Sequence, residues 1–454
     1  MEPRQVKTAA DALKIVKQRG LTHVKVGVHD IDGILRGKYI HVDKFRSALE
    51  GGFGFCDVVL GWDMNDQLYD NVTYTGWHTG YPDANVRILP DTCREIATEP
   101  GNLFFLCEFV GKAEEICPRG TLRHVLERAR KLGFEVKVGF EYEFFVFAET
   151  PESIREKGYR NLKPISPGFF GYSVLRNSVL SDWYRDLLAM CETMDMGIEG
   201  LHTETGAGVL EAALRVDDAL AATDKAALFK IFTKVLAQKQ GWLATFMAKW
   251  SKDWPGCGGH MHMSLWKGGK PAFFDETAPH RMSKTMRQFV GGQAALMPEL
   301  LGMVASNVNS YRRLIPGFWA PTASTWGVEN RTTSLRVIPG SAKSTRVEYR
   351  VAAADANPYL AIAAAIGSGL WGIENDIDPG EPVMGNSYEK KHPAKSQLPR
   401  TLMEAAGRLK ASKPARGLFG DAFVDHYSAT REWEEREFRK AITDWELDRY
   451  MEII

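Results

Sequence analysis

One stretch constrains the fold of this chain more than any other: Glu135-Val136-Lys137-Val138-Gly139-Phe140-Glu141-Tyr142-Glu143-Phe144-Phe145-Val146. Every even position from 136 to 146 is apolar, while 135, 137, 141 and 143 are charged. Side chains alternate across a β-strand, so this period of two predicts a strand with one face against a core and Glu141 and Glu143 side by side on the other. Like charges on one face repel, so stability alone does not select such a pair. A divalent cation between them reverses the sign of the interaction. Taken alone, the segment reads as a solvated edge strand with two surface glutamates.

Three further segments repeat the pattern with a changing chemical bias. In Gly258-Gly259-His260-Met261-His262-Met263-Ser264-Leu265 the even positions carry His260, His262 and Ser264 and the odd ones are apolar. In Lys343-Ser344-Thr345-Arg346-Val347-Glu348-Tyr349-Arg350-Val351, Arg346, Glu348 and Arg350 share a face, and Arg336 sits between Leu335 and Val337 just upstream. Alternation of this kind is routine in half-exposed antiparallel strands. The bias is what points to chemistry: carboxylates with imidazole suit Mg²⁺ or Mn²⁺, and arginine forks suit phosphate and carboxylate. If these strands share a sheet, they build one site for metal, phosphate and an acidic substrate. The segment His202-Thr203-Glu204-Thr205-Gly206-Ala207-Gly208-Val209-Leu210-Glu211, with Glu199 upstream, fits a turn that returns the chain toward that site.

Composition narrows the class. The 454 residues carry 57 Lys+Arg against 57 Asp+Glu, so the basic excess of a phosphate-neutralising nucleic-acid binder is absent. The most apolar segment, Tyr359 to Ile373, is interrupted by glycines and falls short of the roughly 20 residues of a membrane span. Its entrance at Asn357-Pro358 is that of a helix. Six cysteines, at 56, 93, 107, 117, 191 and 257, form no CxxC pair and read as free thiols of a reducing compartment. With no apolar run after Met1-Glu2-Pro3-Arg4, these features give a cytoplasmic expectation. Asp30-Ile31-Asp32-Gly33 predicts a hairpin, Gly51-Gly52-Phe53-Gly54 a flexible loop, Pro118 onward an amphipathic helix, and Glu389 to Lys395 an exposed loop.

In this order the segments resemble the glutamine synthetase superfamily, in particular its bacterial type I branch, over nearly the whole chain. The motifs are Glu141-x-Glu143, Glu204 with Glu211, Gly258-Gly259-His260-Met261-His262, Ser310-Tyr311-Arg312-Arg313-Leu314-Ile315-Pro316-Gly317, Asn330-Arg331 through Arg336, Arg346-Val347-Glu348-Tyr349-Arg350 and Asp355-Ala356-Asn357-Pro358-Tyr359. The resemblance implies an α+β fold: an N-terminal β-grasp domain over 1–111, then a catalytic domain over 112–454 whose curved antiparallel sheet, flanked by helices, forms half a funnel. A neighbouring subunit completes each funnel, in a dodecamer of two hexameric rings. By motif, one Mg²⁺ or Mn²⁺ is held by Glu143, Glu204 and Glu211 and another by Glu141, His260 and Glu348, with two or three ions per site. ATP is contacted by Glu199, His262, Ser264, Arg336, Lys343 and Arg346. Glutamate is held by Arg313 and Arg350 with the Gly256 loop, and Arg331 stabilises the transferring phosphoryl group. The implied reaction joins the γ-carboxylate of glutamate to an amine through γ-glutamyl phosphate.

The sequence departs from ammonia-using members at the flap. Where they carry a glutamate two residues beyond the Gly, this chain reads Pro316-Gly317-Phe318-Trp319-Ala320-Pro321. An indole in place of a carboxylate disfavours a small cation and favours an amine that brings carbon, each CH₂ gaining about 0.8 kcal/mol on burial. A cation–π contact from Trp319 also assists an alkylammonium. The expected substrate is therefore a primary amine larger than ammonia, with an apolar body facing Trp319 and Phe318. A polyamine would want acidic residues for its far ammonium. The alternatives are a true glutamine synthetase using ammonia, a γ-glutamylpolyamine synthetase and a catalytically inert structural or sensor relative. Asp57, in Phe55-Cys56-Asp57, is the candidate deprotonating base from a neighbouring subunit, and Trp254-Pro255 stands where the family has an asparagine near glutamate. Tyr388 precedes Glu389-Lys390-Lys391-His392, a setting that disfavours adenylylation.

Overall fold

A computed structural model describes residues 1–454. Two sheets organise it. The first contains β1 (His23–His29), β2 (Leu35–His41), β3 (Phe53–Cys56), β4 (Asp83–Ile88), β5 (Arg94–Glu95) and β6 (Leu103–Phe109). Its order is β2-β1-β6-β4-β3, with β5 also on β6, and β1 runs parallel to β6. This central parallel pair within an otherwise antiparallel sheet is the β-grasp arrangement. The Asp30–Gly33 turn joins β1 to β2 as the sequence predicts, with Gly33 at φ +84°. The Gly51–Gly54 stretch differs from the expected flexible loop. Helix Val42–Gly51 ends on Gly52 at φ +71°, a conformation only glycine takes cheaply, and β3 starts at once.

The second sheet has ten strands: β7 (Glu135–Phe147), β8 (Ile198–Thr203), β9 (Val209–Leu214), β10 (Asp217–Asp218), β11 (Leu243–Thr245), β12 (Gly259–Lys267), β13 (Lys270–Pro271), β14 (Trp326–Val328), β15 (Leu335–Ile338) and β16 (Arg346–Tyr349). Its main path is β14-β15-β16-β12-β7-β9-β8. All the charge-bearing segments of the sequence therefore share one sheet, with β7 in the interior. The pairing is antiparallel except between β14 and β15, which run parallel. The apolar face of β7 explains its central place: Tyr142 and Phe144 lie against Phe229 of helix Ala219–Lys239 and against Phe246, with ring centroids 5.2–6.3 Å apart. Asn357 caps helix Pro358–Glu374, which is buried along most of its length as a core helix. It crosses helix Lys284–Val304 where Gly292 meets Gly372; a Cβ on Gly292 would stand 2.2 Å from the Ser368 carbonyl.

The first core cluster draws on residues from Val6 to Cys117. Ile31, Tyr69, Val72, Ile96, Phe104 and Leu106 instead pack into the larger core cluster beneath the second sheet. Buried polar contacts also tie the two units. Arg119 bridges Glu108 (2.8 Å) and Asp224 (2.9 Å), Arg431 reaches Asp32 (2.5 Å), and Asn357 donates to the Asp30 and Ile31 carbonyls. Two histidines sit in the same seam. His29 packs on Tyr359 at 5.1 Å, and His426 donates to the Leu60 carbonyl at 2.9 Å. Burial pushes both down to about 4, so both stay neutral in the folded chain at pH values where an unfolded histidine has gained its proton. Stability from this source is complete above pH ~6.5 and is lost as pH falls toward 4, by about 1.4 kcal/mol per histidine per pH unit. Thermal melts at pH 7.5 and pH 5 are expected to show a clearly smaller drop in the His29→Gln/His426→Gln double variant than in the wild type. An equal drop in both would assign the acid sensitivity elsewhere.

Candidate active site

The site follows from strand register. Across β7 and β12, His260 stands opposite Glu141 and His262 opposite Gly139; across β12 and β16, His262 stands opposite Glu348. Across β15 and β16, Arg336 stands opposite Glu348, and across β7 and β9, Glu143 stands opposite Glu211. Finally, β8 puts His202 opposite Glu211. Each strand thus needs only its own alternation to aim its polar face, and the pairing gathers those faces into one row of acids, imidazoles and guanidinium groups.

The polar face lines two adjoining cavities that share Glu141 and Ala213 as a wall. The larger, about 600 Å³, holds all six expected metal positions, Glu141, Glu143, Glu204, Glu211, His260 and Glu348. Gly256, Arg313, Arg350, Arg331, Phe318 and Trp319 line it too. The smaller, about 290 Å³, is lined by Glu199, His262, Ser264, Lys343 and Arg346. Arg336, grouped from sequence with those five, instead lines the larger cavity, because its strand neighbour Glu348 draws its Nη1 to 3.1 Å. Asp57 lines neither cavity. It is buried in the N-terminal unit, accepting from Thr75 Oγ1 at 2.6 Å, and burial raises its carboxyl above the ordinary range.

Three sets of donors converge closely enough to hold an ion, each with ligand atoms within 4.8 Å of one another. One is Glu141, His260 and Glu348, the set expected from sequence. The others are Glu143, Glu211 and His260, and His202, Glu204 and Glu211. Glu211 is common to the last two, so the expected trio of Glu143, Glu204 and Glu211 spans two adjacent groups, and His202 joins it. These oxygen and imidazole donors fit hard divalent cations such as Mg²⁺ or Mn²⁺.

Electrostatics agree with that fit. Burial opposes ionisation of Glu141, but His260 and His262 outweigh it and hold its carboxyl far below the ordinary range. The His262 Nε2 lies 3.1 Å from Glu141 Oε1, and Arg346 Nε donates to His262 Nδ1 at 3.1 Å. Glu348 is likewise buried yet held low by Arg350 and His260, and Arg350 Nη1 donates to it directly. Glu143 goes the other way. Burial raises its pKa and the Glu211 charge adds to the rise, while the Gly258 N–H donates to it at 2.6 Å. An acid pair strained in this way is relieved by a cation.

On the cavity's other side, Arg313 is fixed by donating to the Val351 and Arg350 carbonyls at 3.0 and 3.2 Å. Arg350 is 5% exposed, lines the same cavity and donates Nη1 to Glu348. The flap places Phe318 and Trp319 at the rim; Trp319 is 57% exposed and adopts φ +58°, a left-handed conformation rare for a bulky residue. Lys249 sits over the Phe318 ring at 4.7 Å and donates to the Trp254 carbonyl, tying the flap to the segment before β12.

Among the lining residues that sequence reasoning missed are Tyr172 and His202. Tyr172, at φ +55°, stacks on His202 at 4.3 Å; its segment carries no period that marks it. His202 had a signal, since it stands two residues before Glu204, the same spacing as the Glu141/Glu143 and His260/His262 pairs. Burial opposes a charge on His202, but Glu211 and the Thr203 carbonyl outweigh it and raise its pKa.

Comparison with known proteins agrees with this geometry. The family model described as "Glutamine synthetase, catalytic domain" matches residues 115–450. The chain is 47% identical over 438 residues to "Type-1 glutamine synthetase 2" of Dictyostelium discoideum, covering 95% of this chain and 84% of that protein. It is 35% identical over 447 residues to "Glutamate--isopropylamine ligase" of a Pseudomonas species, covering 97% of each. The solved structure "GmaS/ADP complex-Conformation 1" superposes with a TM-score of 0.85 at 25% identity, over 97% of this chain and 99% of that one. No helix is long and apolar enough to cross a membrane. On fold, site geometry and sequence together, the chain belongs to the glutamine synthetase family and is an ATP-dependent ligase that forms carbon–nitrogen bonds.

Proposed function

We propose that this enzyme ligates the γ-carboxylate of glutamate to a primary amine larger than ammonia, an apolar monoamine, giving a γ-glutamylamide, ADP and phosphate. The observation that carries the reading is Trp319, an indole lining the rim of the larger cavity beside Phe318 where a carboxylate would select ammonium. The relative named for isopropylamine ligation supports it. The relative named as a glutamine synthetase supports the second reading, in which the same site uses ammonia.

In this reading ATP occupies the smaller cavity against Glu199, His262, Ser264, Lys343 and Arg346, with Arg336 reaching it from the other side of Glu348. Its γ-phosphate points across the shared wall at Glu141 into the larger cavity. Arg313 and Arg350 hold glutamate there with the Gly256 loop, their guanidinium groups facing its carboxylates. A glutamate γ-oxygen attacks the γ-phosphorus, the bond to the β-phosphate oxygen breaks, and ADP leaves. Arg331 neutralises charge on the equatorial oxygens of the phosphoryl group in transit. The amine nitrogen then attacks the acyl carbon, the carbon–oxygen bond to phosphate breaks, and a proton leaves the nitrogen. Divalent cations held by Glu141, Glu143, Glu204, Glu211, His260 and Glu348 supply charge neutralisation when bound. Asp57 accepts the amine proton in a ring assembly, a dodecamer of two hexamers, in which the N-terminal unit of one copy closes the cavity of the next.

The test is phosphate release from enzyme, ATP, Mg²⁺ and glutamate with a panel of amines, the products read by mass. Turnover with alkylamines supports the proposal. Turnover with ammonium alone favours the glutamine synthetase reading, and turnover with long diamines alone favours the polyamine reading.

A further inference from the structure

His202 is held as a metal ligand is held. Its Nδ1 lies 3.1 Å from the carbonyl oxygen of Thr203, an atom that only accepts, so Nδ1 carries the hydrogen and donates it there. The Nε2 edge of the neutral ring is then a bare lone pair. The nearest charged atom to that edge is another acceptor, Glu211 Oε1, at 3.2 Å. Two acceptors face each other at that distance only with a cation associated with both, either a proton or a metal ion.

Two features favour the metal. Cis ligands of an octahedral ion bound at 2.1–2.2 Å stand about 3.0 Å apart, close to the separation seen, and Glu204 lies within the same 4.8 Å group as a third donor. The ring is also oriented from behind, as metal-binding imidazoles usually are, by its second nitrogen on a backbone carbonyl. Tyr172 covers the ring face at 4.3 Å with planes 26° apart, and its own N–H is tied to the Thr203 carbonyl at 2.8 Å. That contact leaves the Nε2 edge open to the cavity.

We propose that His202 donates Nε2 to the ion held by Glu204 and Glu211, so that each of two neighbouring ions has one imidazole ligand, His202 for one and His260 for the other. This rests on the metal-dependent ligase reading above. An imidazole at both positions favours Mn²⁺ over Mg²⁺, since nitrogen donors suit the softer ion.

The experiment uses the full-length enzyme loaded with Mn²⁺ in the absence of substrates. Mn²⁺ binding is titrated by EPR, and directly bound nitrogen is read by electron spin-echo modulation in protein carrying ¹⁵N-histidine. Wild type, His202→Ala, His202→Gln and His260→Ala are compared, each with a thermal melt to establish that it is folded. Two nitrogen-coupled Mn²⁺ classes are expected in the wild type, one lost in His202→Ala and the other in His260→Ala. The class lost with His202 should bind Mn²⁺ on the order of 10- to 100-fold more weakly in both His202 variants. If all histidine coupling vanishes in His260→Ala and the isotherms of the His202 variants match the wild type, His202 pairs with Glu211 only through a proton, and the proposal is overturned. Because no turnover is read, failure of alkylamine ligation with both couplings intact would strike the substrate reading alone.

Discussion

Replacing Glu348 by glutamine is expected to lower ATP-dependent phosphate release by on the order of 10³-fold. Glu348 is 1% exposed and sits on β16, between β12 and β15. Arg336 Nη1 reaches it at 3.1 Å, Arg350 donates to its other oxygen, and His260 Nδ1 is 3.5 Å away. In the proposed mechanism it serves three tasks through one carboxylate: ligand to a metal ion, anchor of the guanidinium that binds glutamate, and anchor of the one that faces ATP. Glutamine keeps the volume and one acceptor oxygen but removes the charge. Arg350 then loses its carboxylate partner, while Arg336 keeps Glu329 and His260 keeps Glu141, and the ion held with Glu141 loses its most buried anionic donor. The variant should show weakened Mn²⁺ binding alongside the fall in kcat, with a raised KM for glutamate. Wild-type metal affinity and turnover in folded Glu348→Gln would remove Glu348 from the metal set.

The second large effect concerns the flap. Trp319→Glu is expected to move the ratio of kcat/KM for a three-carbon alkylamine over that for ammonium by about 50-fold toward ammonium. The magnitude follows from losing apolar cover for three carbons at about 0.8 kcal/mol each, roughly 2.4 kcal/mol. The carboxylate adds attraction for a small cation on top of that loss. Trp319→Ala separates the two terms, since it should lower alkylamine use without raising ammonium use. Trp, Glu and Ala each carry a Cβ, so the left-handed backbone at residue 319 costs all three about alike and the comparison holds strain nearly constant. An unchanged amine profile in Trp319→Glu would place the selective pocket elsewhere, with Tyr172 and Pro255 the remaining lining candidates.

Much of the site was legible because strand alternation and chemical bias are local properties. Glu141 with Glu143, His260 with His262, and Arg346 with Glu348 and Arg350 each declare a polar face within a few residues. What lay beyond the sequence is which face meets which. Whether Glu211 groups with Glu143, with Glu204 or with both depends on the β7–β9 and β8–β9 registers, and the structure shows it shared between them. The placement of Arg336 in the larger cavity is likewise a cross-strand effect, decided by Glu348 opposite it. Tyr172 was invisible because its backbone is turned by long-range bonds to Thr203 rather than by any local period. Gly51–Gly54 misled for the opposite reason: the glycines looked like a loop, yet Gly51 and Gly52 end a helix and Gly54 lies inside a strand. The reach of Asp57 depends on a second copy of the chain, and no single-chain feature fixes it.

The account rests on an amine with a carbon body reaching the acyl phosphate past Trp319. The most direct measurement is a competition: wild-type enzyme with ATP, Mg²⁺ and glutamate, given equal concentrations of ammonium and isopropylamine, with both products quantified by mass in the same reaction. Their ratio is the ratio of the two kcat/KM values. The account predicts that the γ-glutamylisopropylamide dominates; glutamine as the main product, with little or no amide of the alkylamine, would contradict it.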